Sequence, residues 1–371
     1  MSFSYWEQKT WLSNIDFTVI GSGITGLSCA LQLRKKYPGA KILVLERGIL
    51  PNGASTKNAG FACFGSLSEI IDDLQTHTEQ EVFDLVSRRT EGLQLLKSTL
   101  GDQSIKYKQY GGYELFLKED VSLFEDCNSK LEYINELLKP VFKEDVFSIA
   151  KDTFGFKKVI QNYIFNKFEG QIDTGAMMQS LLYKVYKENI QILNSCEVEE
   201  FYDQGENAIV KTKNFEFTTA KIFIATNGFA TKLGINEVRP ARAQVIITAP
   251  INNLDIKGTF HLDKGYYYFR NIDNRILFGG GRNLDFKAEE TTEMNQTSLV
   301  QDKLEEILKE VILPNKKFKI DQRWSGIMGV GTQKKPIITQ LSENVYCGVR
   351  LGGMGVAIGS LAGRELADLL A

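Results

Sequence analysis

The residues best placed to do chemistry are three glycines and an acid. Gly21-x-Gly23-x-x-Gly26 follows an apolar run that starts at Ile15, and Glu46 closes a second apolar run, Ile42 to Leu45. That spacing suits a dinucleotide. The first glycine permits a tight turn and the second lets backbone N–H groups approach a pyrophosphate at a helix N-terminus. The third lets helix and strand pack closely, and Glu46 would accept the ribose hydroxyls. Between the two runs, Ile24, Leu27, Ala30, Leu31 and Leu33 recur at helical spacing, so the segment reads strand, helix, strand.

Nicotinamide and flavin dinucleotides share this unit, and two further features favour flavin. Gly53-Ala54-Ser55-Thr56-Lys57-Asn58-Ala59-Gly60 is a small-residue stretch suited to laying backbone against a flat ring and a diphosphate. At the other end, Asn344 to Val349 reads as a strand, Leu351-Gly352-Gly353-Met354-Gly355 as a glycine turn, and Val356 to Leu370 as a helix. Such an ending aims a second helix N-terminus at the cofactor, where it would stabilise the negative charge that reduced flavin develops at its N1 and O2 edge.

The remaining elements must position these pieces. Glu169-Gly170-Gln171-Ile172-Asp173-Thr174 precedes an amphipathic helix, Gly175 to Glu188, with Thr174 as its expected N-cap. Ile190 to Leu193, Val198 to Phe201 and Ala208 to Thr212 read as strands. Lys221 to Gly228 is an apolar strand whose end, Ala225-Thr226-Asn227-Gly228, can pass close to an adenosine. A second texture follows: a strand over Gly111 to Leu117, a charged helix over Val121 to Lys139, and a long strand over Ala241 to Ala249. Tyr266 to Arg270 and Arg275 to Gly279 form a hairpin turning at Asp273-Asn274, and Glu289 to Val311 reads as a polar helix. The fold class is α/β (α+β), a Rossmann-like domain from residues 1–85, 155–235 and 320–371. An interleaved antiparallel-sheet substrate domain is expected from 86–154 and 236–319.

Composition removes several alternatives. The chain has 371 residues, 44 basic against 46 acidic side chains and a net charge of -2, which gives no field for nucleic acid. With only two histidines, His77 and His261, a histidine-rich metal site is not expected, and no GxSxG supports a serine triad. The cysteines, Cys29, Cys63, Cys127, Cys196 and Cys347, are odd in number and include no CxxC, as in reducing compartments. The opening segment lacks a signal-peptide layout and no apolar run reaches about 18 residues. A cytoplasmic protein without an integral membrane segment is expected.

Taken in order, the GxGxxG with Glu46, GASTKNAG, EGQIDTG, ATNG, RWSGIMGVGTQKKPIIT and GVRLGGMGVAIGSLAGRELADLL resemble the FAD-dependent oxidoreductases related to D-amino-acid oxidase. The likeness spans nearly the whole chain. The opening SYWE and the GASTKNAG form are most similar to the gamma-glutamylputrescine oxidoreductase group, itself similar to sarcosine and glycine oxidases. The resemblance implies that Gly21, Ser22, Gly23, Ile24 and Gly26 meet the pyrophosphate, and that Glu46 and Arg47 hold the adenosine ribose and its surroundings. It implies that Ser55, Asn58, Ala59 and Gly60 line the diphosphate and isoalloxazine, that Val198 meets the adenine, and that Ala225 and Gly228 lie near the adenosine. Arg323 and Gly326 of the RWSG strand would stand beside the cofactor, and Gly353, Met354, Gly355 and Val356 at the flavin's pyrimidine edge.

Two departures matter. Relatives similar to glycine and D-amino-acid oxidases carry a substrate-carboxylate arginine shortly after the strand matching Arg323 to Gly326, where this chain has Ile327-Met328-Gly329. The cysteine that binds FAD covalently in sarcosine oxidase-like enzymes is absent from Ile327 to Gly331, so FAD is expected to be held non-covalently. The implied reaction is hydride transfer from a CH–NH carbon of a small amine or amino acid to flavin N5, giving an imine that hydrolyses. Oxygen or a separate carrier would be the acceptor. An apolar residue near Leu277 stands where sarcosine oxidase-like relatives carry an oxygen-activating lysine, which favours a dehydrogenase. The expected substrate wall is His261, Tyr266, Tyr268 and Arg270 with Trp324; period-2 alternation puts Tyr266, Tyr268 and Arg270 on one strand face and Tyr267 and Phe269 on the other. For His261 a surface position at a strand end is the expectation. A 2-hydroxy-acid dehydrogenase and a non-catalytic flavin-binding protein are the alternatives.

Overall fold

The computed structural model describes residues 2–370 and contains two eight-stranded sheets and one small two-stranded sheet. The first large sheet is centred on parallel strands Glu216–Ile224, Ile15–Ile20, Ile42–Leu45 and Gln191–Leu193, with Val345–Val349 parallel on the other flank and Ile337–Ser342 antiparallel at the edge. Val198–Asp203 and Ala208–Thr212 form an antiparallel extension from Glu216–Ile224. Every residue of Ile42–Leu45 and Val345–Val349 is buried, as expected for strands covered on both faces. Helices Ile24–Lys36 and Thr174–Lys187 share a core with this sheet, which also receives Val356, Leu366 and Ala367 from helix Gly355–Asp368.

The second sheet runs in the order Ile320–Val330, Arg239–Thr248, Arg275–Gly280, Tyr267–Ile272, Thr259–Leu262, Gly112–Glu114, Asn162–Asn166, Phe147–Lys151. All its pairings are antiparallel except that of Gly112–Glu114 with Thr259–Leu262. The hairpin turns at Asp273 and Asn274, both at positive φ (46° and 56°), which gives the primed two-residue turn whose twist matches the strands. Tyr267 and Phe269 enter the core with Phe260 and Phe278, so the alternation along this strand is as its sequence predicts.

Several boundaries differ from the sequence reading. Asn162–Asn166 and Ile320–Val330, allotted above to the dinucleotide unit, are hydrogen-bonded into the second sheet; the latter pairs with Arg239–Thr248 from Arg239↔Val330 to Thr248↔Ile320. The predicted helix over Glu289 to Val311 begins only at Ser298, continuing to Ile307 and then as a π-turn to Ile312. Glu289 is drawn into a buried ion pair with Arg242 at 2.7 Å, and the Thr- and Asn-rich stretch after it favours side-chain-to-backbone bonds over helix. Asp173, not Thr174, caps Thr174–Lys187, its carboxylate accepting from Ala176 N at 2.9 Å; the Thr174 hydroxyl instead donates to Asn58 Oδ1 at 2.9 Å.

Candidate active site

Between the sheets lies a cleft of ≈ 480 Å³ lined from both. Its first end is built by the glycine turn. Gly21 sits at φ +104°, and a Cβ there would come 2.8 Å from the Ala225 carbonyl oxygen; at Gly26 it would come 1.9 Å from the Gly21 oxygen. The chain is thereby pressed against two neighbours with no side chain in the way, and the N-terminus of helix Ile24–Lys36 opens into the cleft. Ser55 Oγ accepts the Ile24 N–H at 3.0 Å. Glu46 is buried and held at both oxygens: Oε2 accepts from Ser22 Oγ (2.6 Å) and N (3.2 Å), and Oε1 from Gly48 N (2.9 Å) and Asn52 N (3.2 Å). The Arg47 guanidinium lies 3.6 Å over the Phe229 ring, and Val198 and Ala225 line the same end.

The middle of the cleft is shaped by Gly53 to Gly60. A short helix, Ala54–Lys57, is closed by Asn58, whose Nδ2 donates to the Ala54 and Ser55 carbonyls (3.1 and 2.9 Å) and whose Oδ1 accepts from Gly60 N at 2.8 Å. Gly326 faces this segment from the second sheet. At the far end, Gly353, Met354, Gly355 and Val356 present the N-terminus of helix Gly355–Asp368.

Opposite that helix stands an aromatic and charged wall. The Phe61 ring meets His261 edge-on at 5.3 Å and Tyr268 at 5.6 Å, and Tyr266 completes the row. His261 is buried rather than on the surface: strand Thr259–Leu262 lies inside the sheet, and Nε2 is 2.6 Å from Glu169 Oε1. Burial opposes a charged imidazole, but Glu169, with Glu69 and Glu114, outweighs it and lifts the pKa from 6.5 to about 9. Cys63 Sγ, a Glu169 oxygen and a His261 nitrogen lie within 4.8 Å of one another. Burial also raises the Glu114 carboxyl, which accepts from Ser66 Oγ (3.0 Å) and Ser68 N (3.1 Å), and pushes the Tyr268 phenol up to about 12.

Besides Gly26, which packs against the Gly21 oxygen behind the turn, four residues expected at the site lie outside the cleft. Arg270 is buried beneath it, its guanidinium donating to the backbone oxygens of Ala59, Ile172 (2.9 Å) and Asn271 (3.2 Å). Trp324 donates to the Lys57 carbonyl at 3.0 Å, and Arg323 turns away to Gln301 and Glu305. Gly228 does not line the cleft: its bare face packs on the Met328 carbonyl, where a Cβ would come within 2.3 Å. Sequence reasoning did not single out Cys63, Glu69, Arg89, Glu114, Glu169 or Arg350 as site residues, although Glu169 and Arg350 fall within quoted motifs. They are charges and a thiol, all but Glu69 buried, in or behind one cleft, and that placement depends on long-range pairing.

A glycine-lined phosphate cradle, a ribose-side carboxylate and a second helix N-terminus along one cleft define a dinucleotide-dependent redox enzyme. The chain belongs to the FAD dependent oxidoreductase (DAO) family, whose profile it matches over residues 16–369. It is 25% identical to gamma-glutamylputrescine oxidoreductase of Escherichia coli over 96% of this chain and 83% of that protein. It is 23% identical to the probable oxidoreductase OrdL of Haemophilus influenzae over 97% and 84%. Among solved structures it resembles glycine oxidase from Geobacillus kaustophilus (TM-score 0.75, 16% identity, 95% and 94% of the two chains). It also resembles L-proline dehydrogenase from P. horikoshii (TM-score 0.74, 20%, 96% and 93%). The cofactor is FAD, and the residues along the cleft fit it: a bare-backbone cradle at Gly21 to Gly26, buried Glu46, and an open helix mouth at Gly355. The protein is an FAD-dependent oxidoreductase. Among the described residues no helix is long and apolar enough to cross a membrane.

Proposed function

We propose that this enzyme oxidises the CH–NH bond of a small amine or amino acid, with FAD held non-covalently along the cleft. The observation that carries this reading is the cleft wall itself, in which the rings of Phe61 and Tyr268 meet edge-on and Tyr266 shares the lining. Aromatic faces attract a cationic amine as it leaves water. FAD supplies a hydride acceptor at N5, and the product imine hydrolyses in water.

The chain's own residues do the rest. Phe61 and Tyr268 exclude water and confine the substrate. The N-terminus of Gly355–Asp368 supplies fixed positive potential where negative charge would develop. No proton acceptor is needed on carbon, which suits a wall with a single histidine. Leu277 packs with Ala59 and Val245, an apolar cluster near the position where sarcosine oxidase-like relatives carry an oxygen-activating lysine; this supports transfer of electrons to a separate carrier. The five cysteines are buried free thiols, which supports a cytoplasmic setting.

The test is anaerobic bleaching of the bound flavin across amines, amino acids and 2-hydroxy acids. Bleaching by amines or amino acids is expected; bleaching by hydroxy acids alone would replace the reading with the hydroxy-acid alternative. A protein that takes up no FAD on reconstitution would end both. Comparing reoxidation by air with reoxidation by a dye separates oxidase from dehydrogenase, and rapid reoxidation by air would remove the carrier.

A further inference from the structure

The cleft contains two buried guanidiniums that the reaction as described does not use. Arg89 comes from helix Glu79–Leu100 and Arg350 from the residue after strand Val345–Val349. Both line the cleft and both are buried, with 9% and 5% of their surface exposed. Arg89 makes one hydrogen bond among the described residues, Nη1 to the Phe64 carbonyl at 2.7 Å. Arg350 donates from Nη1 to the Lys334 carbonyl at 2.6 Å and from Nη2, at 3.4 Å, to that of Gly331, while its buried Nε has no partner. Among the described residues neither has a carboxylate in ion-pair contact. The acids around them are engaged elsewhere: Asp73 with Lys334 at 2.7 Å, Asp72 with Lys264 at 2.8 Å, and Glu69 with the Ser66 N–H at 2.9 Å.

Arg350 also feels the like charge of Arg89, which Asp73 opposes. Burial and then the positive charge of Arg89 bring the Arg350 pKa down to about 10. Arg350 itself sits at φ +64°, a left-handed conformation rare for a side chain that could relax elsewhere. Two buried like charges with idle donors are costly unless an anion joins them. A planar carboxylate matches guanidinium donors, and its single charge offsets the excess.

From this arrangement we infer that Arg89 and Arg350 form the anchor for the carboxylate of the substrate, placing it among N-substituted or primary amino acids rather than simple amines. The inference rests on the function proposed above and narrows its substrate class. It also answers the departure at Ile327-Met328-Gly329: the guanidinium missing from that strand is supplied from a helix and from the turn before Gly355–Asp368.

The test uses the FAD-loaded protein and non-reactive probes. Propionate and benzoate, with propionamide and benzamide as neutral counterparts, are titrated calorimetrically into the wild type, Arg89→Met, Arg89→Lys and Arg350→Gly; the last variant suits the left-handed backbone. Carboxylates are expected to bind at least about tenfold tighter than their amides. Arg89→Met and Arg350→Gly should each weaken carboxylate binding about 10- to 100-fold, with amide binding changed less than about twofold. Arg89→Lys should restore part of the loss. Equal binding of carboxylates and amides by the wild type would overturn the anchor, whether or not the variants fold. So would a variant that loses FAD affinity tenfold while keeping carboxylate affinity, since the guanidiniums would then serve the cofactor. In either case bleaching by amines would leave the broader oxidoreductase reading standing; a protein that no amine or amino acid bleaches would fail at that earlier step.

Discussion

Replacing Glu169 by Gln removes the charge that keeps His261 protonated, and the consequence can be worked through. In the folded wild type His261 titrates at about 9 against 6.5 for an ordinary imidazole, because Glu169 at 2.6 Å outweighs the burial that opposes charge. That rise corresponds to about 3 kcal/mol favouring the protonated fold. A folded-state pKa above the unfolded one stabilises fully below pH 6.5, and the contribution fades as pH climbs through 9. In E169Q burial acts without its largest counterweight, so His261 should titrate at or below 6.5. The chain has only two histidines, so an H77N background leaves a single imidazole signal for NMR. The wild-type resonance should titrate near pH 9 and the E169Q resonance at least about 2 pH units lower. Urea unfolding should show the stability gap between the two proteins shrinking by about 3 kcal/mol from pH 6.5 to pH 10. A wild-type His261 signal titrating near 6.5, with a stability gap flat across that range, would refute the reasoning.

Three further outcomes follow from single contacts. Gly26→Ala would place a Cβ 1.9 Å from the Gly21 oxygen, so the purified variant should carry at least about tenfold less FAD per chain, read from its visible absorbance. Arg270→Met strips donors from the buried carbonyls of Ala59 and Ile172 and should cost about 2–6 kcal/mol in urea unfolding, at about 1–3 kcal/mol per orphaned group. Arg242→Met leaves the Glu289 carboxylate buried without its 2.7 Å partner and should cost about 3–5 kcal/mol, whereas Arg242→Met with Glu289→Leu should recover most of that loss in thermal unfolding.

What the sequence made legible was the chemistry carried by consecutive residues. Gly21 to Gly26 with Glu46, the Gly53 to Gly60 segment and the turn at Gly353 to Gly355 each act through local backbone, and local spacing encodes local backbone. The charged wall was not legible, because His261 and Glu169 lie 92 positions apart and meet only when Thr259–Leu262 pairs beside Gly112–Glu114. Arg270 shows a different limit. Alternation correctly put it on the face shared with Tyr268, yet two residues further along that face the cleft has ended and the Ala59 and Ile172 carbonyls begin. Periodicity assigns a face, and the extent of a cavity along that face depends on what the opposite layer brings. The misplaced strand Ile320–Val330 has the same cause, since an apolar run does not name the sheet it joins.

A net charge of -2 conceals a cleft whose far end is positive. The mouth of Gly355–Asp368, Arg89 and Arg350 gather there from three separate elements, while Glu69, Asp72 and Asp73 balance them only in part and through partners of their own, and the His261 imidazolium is matched by Glu169. Such an excess destabilises the free protein, so its persistence requires a return in the bound state. The hydride transfer to flavin proposed above would offer one, because the developing negative charge would meet dipoles and cations already in position. An anionic substrate offers the other by neutralising the arginine pair on arrival. Both act through the same small volume, which ties substrate choice to catalysis: the group that anchors the substrate also determines how much positive potential is left for the step that follows.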